Sequence, residues 1–152
     1  MRALVLFFAL TLMALGNQYT FLVNKYDKET ELEAKIVSKI ARSSLETKEP
    51  MLYIPQISQS DKEIYSQFFK LSSSCENANF VFVKKSVDVT QECKKEDKLF
   101  FTNNYQKLLL DNRYFGAFFW NKSRPNIVFI KERLEDKKVA LPHEYEQFIE
   151  DF

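Results

Sequence analysis

Glycine is nearly missing from this chain, with two residues in 152, Gly16 and Gly116. A phosphate-cradling loop needs several residues that tolerate positive φ and close backbone approach. Neither a P-loop nor a GxGxxG dinucleotide turn is present, which removes most nucleotide chemistry. Histidine is scarcer still, with His143 alone, and the H-E-x-x-H and C-x-x-C-H motifs are both absent. Neither a zinc-peptidase helix nor haem attachment is therefore signalled. A surplus of one charge sign is also lacking, because 22 Lys and Arg face 21 Asp and Glu. Nucleic-acid binding needs a positive field to release counterions from phosphates. The lysine pairs Lys84-Lys85, Lys94-Lys95 and Lys137-Lys138 sit among acids and read as a solvated mixed-charge face,. No nucleic-acid partner is expected.

The reactive side chains do not assemble into a catalytic set. His143 follows Pro142 at a helix start and reads as a surface residue of the first turn. Ser72-Ser73-Ser74 lacks elbow glycines and reads as a polar connection. Glu135-Asp136 and Glu150-Asp151 are sequence neighbours, which do not face each other on a helix. We expect no catalytic residue, no metal ligand and no cofactor, so an exported enzyme stands third among the function classes.

The most informative segment present is the start. Met1-Arg2 gives a short positive end, Ala3 to Leu15 is apolar apart from Thr11, and Ala14-Leu15-Gly16 places small residues at a signal-peptidase site,. Residues 1–16 are expected to be a cleaved signal peptide, leaving 17–152 as a single α/β domain in the periplasm. An uncleaved anchor is the alternative, since no charge appears from Ala3 until Lys25, although Asn17, Gln18 and Thr20 make a poor membrane helix,. Arg2 accounts for the net charge of +1, so the exported part is electrically balanced.

Two cysteines remain, Cys75 and Cys93. In an oxidising compartment such a pair is more often a disulfide than a site, with two free thiols the alternative. Closing this loop would contribute roughly 3 kcal/mol. A metal site would need further ligands, and His143 is far along the chain.

Periodicity predicts a helix from the N-cap Asp27 to about Ser44, burying Leu32, Ile36, Val37 and Ile40. Met51 to Ile54 reads as a short strand ended by Pro55. Ser60 with Glu63 fits a capping box, and Ile64, Phe68 and Leu71 mark the buried face of a second helix. Ala78 to Val83 and Leu99 to Thr102 read as strands, and Asn103 and Asn104 cap a short helix through Leu110. Phe115 to Trp120 and Asn126 to Ile130 flank the turn Asn121 to Pro125 as a hairpin. A short helix over Glu132 to Asp136 and a last helix opened by Pro142 follow. This order predicts an α/β fold: a mixed sheet covered by helices, its first strands parallel and its late hairpin antiparallel.

One segment concentrates binding-type residues. Trp120, Lys122, Arg124, Pro125 and Asn126 place the only tryptophan, two cations and a rigid proline on one hairpin tip. Tryptophan and arginine dominate many protein interfaces, so these five are the candidate partner-binding residues. The competing reading makes Trp120 core and the cations ordinary turn solvation. The chain also carries 15 phenylalanines, enough to fill a core and leave an apolar groove for a partner helix or small ligand,.

The order of elements resembles the YfiR-like family of exported proteins. Leu32-Glu33-Ala34-Lys35-Ile36 through Met51-Leu52-Tyr53-Ile54-Pro55 is similar to that family's first helix and strand. Asn79-Phe80-Val81-Phe82-Val83 and Lys98-Leu99-Phe100-Phe101-Thr102 resemble its central strands. Gly116, Arg124, Ile127, Phe129, Leu134, Val139 and Leu141 resemble its glycine-led hairpin and closing helix. The family typically has more cysteines, and this chain is short around Lys48 and Pro50. The resemblance implies a non-enzymatic regulator of cyclic-di-GMP signalling that binds the periplasmic domain of a membrane-bound signalling protein, a diguanylate cyclase or sensor kinase. A second copy of the chain is a further candidate partner. A periplasmic small-molecule binding module is the alternative.

Overall fold

Alternation decides the sheet. Phe80-Val81-Phe82-Val83 is buried throughout, yet its side chains part by type: both phenylalanines enter one apolar cluster and both valines the other. Successive strand residues face opposite ways, so a strand buried at every position belongs to a sheet covered on both sides.

The computed structural model describes residues 26–45, 49–85, 87, 93 and 98–152. The expected leader and cleavage site, and Lys94-Lys95, lie outside them. The first described helix, α1, covers 26–45. After it come β1 (Met51–Tyr53), α2 (Gln59–Tyr65), β2 (Lys70–Leu71), β3 (Phe80–Val83), β4 (Leu99–Thr102) and α3 (Tyr105–Leu110). The chain closes with β5 (Tyr114–Asn121), β6 (Arg124–Ile130), α4 (Lys131–Asp136), a 3-10 helix (His143–Phe148) and β7 (Ile149–Glu150). The seven strands form one mixed sheet in the order β2-β1-β3-β4-β5-β6-β7, a single α/β domain. Strands β2 to β5 are parallel and β5 with β6 forms the antiparallel hairpin. From β1 the chain moves outward to β2 and then reverses to β3. Helix α2 contributes Tyr65 to one face of the sheet and α3 contributes Leu108 to the other. Right-handed crossovers running in opposite directions require that division.

One face is an aromatic layer. Phe101 lies within ring contact of Phe80, Phe82, Phe115 and Phe129, with centroids 5.5 to 6.2 Å apart. Helix α1 covers this layer through Ala34, Val37, Ile40 and Ala41. Gly116 makes the layer fit. The β4–β5 register slips between Phe100 and Phe101, so Phe101 stands opposite Gly116 while Phe100 stands opposite Tyr114. A Cβ on Gly116 would sit 2.6 Å from Phe129 Cδ1 and 2.8 Å from both Phe101 Cε2 and the Val128 carbonyl. Its φ is not positive, so close approach, not backbone freedom, requires glycine here.

Several local expectations are corrected. Tyr26 is already helical, so Asp27 lies inside α1 and does not cap it. Leu32 is 39% exposed, whereas Thr30 and Glu33 are buried on the same helix. The buried stripe therefore runs through 30, 33, 34, 37, 38, 40, 41 and 44, turned away from Leu32 and including four polar residues, Thr30, Glu33, Ser38 and Ser44. Ser58, not Ser60, caps α2: its backbone is extended and its hydroxyl accepts from the Asp61 amide at 3.1 Å. Leu71 belongs to the edge strand β2, since α2 ends at Tyr65. The hairpin turn shrinks to Lys122-Ser123, at φ 48° and 61°, the positive pair that matches hairpin twist. Pro125 is accordingly a strand residue opposite Trp120. In a two-residue hairpin that pair is not hydrogen-bonded, so the missing N–H costs the ladder nothing. The segment after Pro142 is a 3-10 helix, and Ile149-Glu150 adds a strand beside β6.

Cys75 and Cys93 form a disulfide, with Cα atoms 5.5 Å apart, buried in the valine-side cluster. Among the described residues no helix is long and apolar enough to cross a membrane.

Candidate functional site

Three parallel strands end beside one another, and the residues just past or at their ends line one cleft. Lys84 follows β3, Asn103 follows β4, and Trp120 lies near the end of β5. Thr102 fixes the first two: its hydroxyl donates to the Val83 carbonyl at 2.7 Å and accepts from the Asn104 amide at 3.1 Å. Helix α1 supplies the opposite wall with Tyr26, Glu29, Thr30 and Glu33, and Lys85 stands at the rim. The cleft has a volume of about 540 Å³. In open α/β sheets the carboxyl ends of the strands near a reversal of strand order are where ligands bind, and β3 adjoins that reversal.

Beneath the cleft lies a charged cluster. Asp61 of α2 and Glu33 of α1 are both almost fully buried. Lys84 Nζ donates to Asp61 Oδ2 at 2.7 Å and lies 3.5 Å from Glu33 Oε1. It also sits 5.3 Å from the centre of the Tyr65 ring. The Tyr65 hydroxyl donates to Glu33 Oε1 at 2.5 Å, and the Tyr26 hydroxyl donates to Asp61 Oδ1 at 2.9 Å. Asn103 Nδ2 donates to Glu33 Oε2 at 3.2 Å. Two carboxylates thus share one ammonium, with tyrosine and amide donors completing them, the arrangement that buried charge requires.

These contacts set the protonation states. Burial pulls the Lys84 ammonium down, but Glu33 and Asp61 outweigh it and hold the group above its ordinary value. Burial pushes the Tyr65 phenol well above its ordinary value, and the neighbouring Glu33 charge adds to this. Tyr26 rises for the same reasons, burial first and the hydrogen bond to Asp61 second. Lys84 remains charged and Tyr65 remains neutral at physiological pH. Neither is poised to exchange protons there.

The five hairpin residues are divided. Lys122, Arg124 and Pro125 are exposed. The Asn126 side-chain amide donates to the Arg124 carbonyl at 2.9 Å. Trp120 is half-buried against the aromatic layer, its ring edge-on to Phe118 at 5.5 Å, and lines the cleft. Asn121 pairs with Arg124, one step further along the strands than Trp120 with Pro125. Strand alternation therefore sends Trp120 and Arg124 to opposite faces.

The sequence pattern did not single out Glu33 or Asp61, and Lys84, expected on a solvated mixed-charge face, is instead only 18% exposed and paired with both carboxylates. A carboxylate inside an apolar helical stripe was the available signal for Glu33, because Glu33 shares a face with Val37 and Ile40. His143 is exposed and paired with Glu146 at 2.7 Å, far from these groups in character. Among the described residues no group of three or more His, Cys, Asp or Glu could hold a metal ion. No family model, no curated protein and no solved structure matches the chain.

Proposed function

We propose that this chain is an exported, non-enzymatic binding module that takes a small molecule in the cleft between α1 and the carboxyl ends of β3, β4 and β5. The observation that carries this reading is the cleft itself, which places Trp120, Tyr26, Lys84 and Asn103 around one open volume of about 540 Å³. Ligand sites of this size combine apolar walls with a few fixed polar groups. The charged cluster supports a non-catalytic role, because Lys84 and Tyr65 are engaged within it and both keep their protons above their ordinary values. The buried disulfide is compatible with an oxidising compartment,. The test is thermal melting with a low-molecular-weight metabolite fraction. Binding to the folded state raises the melting temperature, and Trp120→Ala should abolish that rise. A fraction that leaves the melting temperature of the wild-type protein unchanged contradicts the reading.

A second reading, a regulator that docks on the periplasmic domain of a membrane signalling protein, is favoured by the hairpin tip. Lys122, Arg124 and Pro125 project there without burial, and the tip lies two residues beyond Trp120. Ligand state at Trp120 is thereby adjacent to a candidate docking surface, and the two readings are compatible. Periplasmic crosslinking from position 122 tests it, and capture of no membrane protein counts against it.

A further inference from the structure

The donors and acceptors around the cleft do not balance. Lys84 directs its ammonium to Asp61 and Glu33 and lies against the Tyr65 ring. Both tyrosine hydroxyls donate to the same two carboxylates, Tyr65 to Glu33 and Tyr26 to Asp61. The Thr30 hydroxyl is engaged with the Tyr26 phenol. These four donors are thus spent within the cluster, and the Lys85 ammonium and the Trp120 indole N–H are the further donors on the cleft.

Acceptors are left over. The Asn103 amide nitrogen faces Glu33 Oε2, which fixes the amide's orientation, because a flipped oxygen would oppose a carboxylate,. Asn103 Oδ1 is consequently buried without a hydrogen-bond partner. Glu33 Oε2 has one donor shown from Asn103, and a carboxylate oxygen offers about two acceptor positions,.

Charge points the same way. Glu33 and Asp61 carry two negative charges against the single positive charge of Lys84, while Glu29 and Lys85 at the rim offset each other. The aromatic groups on the cleft, Trp120 and Tyr26, are surfaces that attract cations through their ring quadrupoles,.

Resting on the reading of the cleft as a ligand site, we infer that its ligand is an organic ammonium ion, its positive end toward Glu33 and its carbon skeleton against Trp120 and Tyr26. An anionic ligand would face Glu33 and Asn103 Oδ1, with its cationic partners limited to Lys84, already paired with two carboxylates, and to Lys85 at the rim.

Trp120 is the only tryptophan in the chain, so intrinsic fluorescence reports on the cleft directly. Titration with choline and with agmatine is expected to change the emission saturably, and succinate at equal concentrations to leave it unchanged. Glu33→Gln should weaken ammonium binding by about tenfold, the loss of one charge-assisted contact. Should that variant fail to fold, Glu29→Gln, half-buried at the rim, should weaken binding by about twofold, and added salt should weaken it further,. Saturable succinate binding without ammonium binding overturns the inference. So does ammonium binding indifferent to the carboxylate substitutions and to salt. Where a neutral or anionic metabolite binds and Trp120→Ala abolishes it, the cleft reading stands and the ammonium assignment falls. Where neither the probes nor the metabolite fraction alters Trp120 emission, both fall.

Discussion

Lys84 and Asp61, 23 residues apart in sequence, meet at 2.7 Å beneath the cleft. The contact joins the end of a central strand to the helix after β1, and Glu33 of α1 closes the triangle. Removing the cation alone leaves two buried carboxylates uncompensated. Lys84→Met should therefore destabilise the protein by about 3 kcal/mol. The double variant Lys84→Met, Asp61→Asn should recover part of the loss, because one orphaned charge is removed with it. Urea unfolding of the wild type, Lys84→Met, Asp61→Asn and the double variant measures the coupling. Additive effects would mean that the pair does not act as a unit.

The same cluster sets an alkaline limit. The folded state raises the Lys84 pKa, so its stabilisation is present below the ordinary lysine value and is lost as pH climbs through the folded value,. Tyr65 has the same sign, since its raised pKa means that the folded state holds the proton longer than the unfolded one. Melting temperature should stay level between about pH 7 and 9 and fall beyond about pH 10. Tyr65→Phe should make that fall shallower while costing about 1–3 kcal/mol for the lost donor to Glu33. An unchanged alkaline slope in the variant would contradict this assignment.

Gly116→Ala tests the aromatic layer. Two rings and a backbone carbonyl occupy the place of the added methyl, and the carbonyl belongs to the neighbouring strand. Overpacking of this kind costs about 2–3 kcal/mol. Chemical denaturation should show a lower midpoint with an unchanged slope.

The disulfide offers an independent check. Its closed segment spans a sequence separation of 18, for which loop entropy gives a stabilisation of about 3 kcal/mol. Reduction, or replacement of both cysteines by serine, should lower the unfolding free energy by about that amount while the sheet persists. Complete loss of folding would assign the bridge a larger role than chain entropy provides.

Sequence patterns revealed most elements because each carried a local cue. Phe80 to Val83 and Leu99 to Thr102 are short runs rich in aromatic and β-branched residues, and Asn104 caps α3 as its position before Tyr105 predicts, accepting from the Gln106 amide at 3.0 Å. The short edge strands carried no such cue. Lys70-Leu71 and Ile149-Glu150 are defined by pairing with β1 and β6 rather than by their own composition. The site was partly visible: Trp120 was a candidate, but its grouping with Arg124 rested on closeness in sequence. Alternation in the extended β5–β6 ribbon separates them, and that depends on a two-residue turn whose positive φ values fall on Lys122 and Ser123, without glycine to mark it. Glu33, Asp61 and Lys84 converge only through the strand order, which no local pattern encodes.

Occupancy of the cleft by a small molecule decides the function. The most direct measurement is amide and indole NMR of the labelled protein during titration with the low-molecular-weight metabolite fraction. The predicted result is saturable shifts at the Trp120 indole N–H and the Asn103 side-chain amide, with Lys122 and Ser123 at the turn unmoved. Shifts confined to the hairpin turn, or none at either cleft residue, would contradict it.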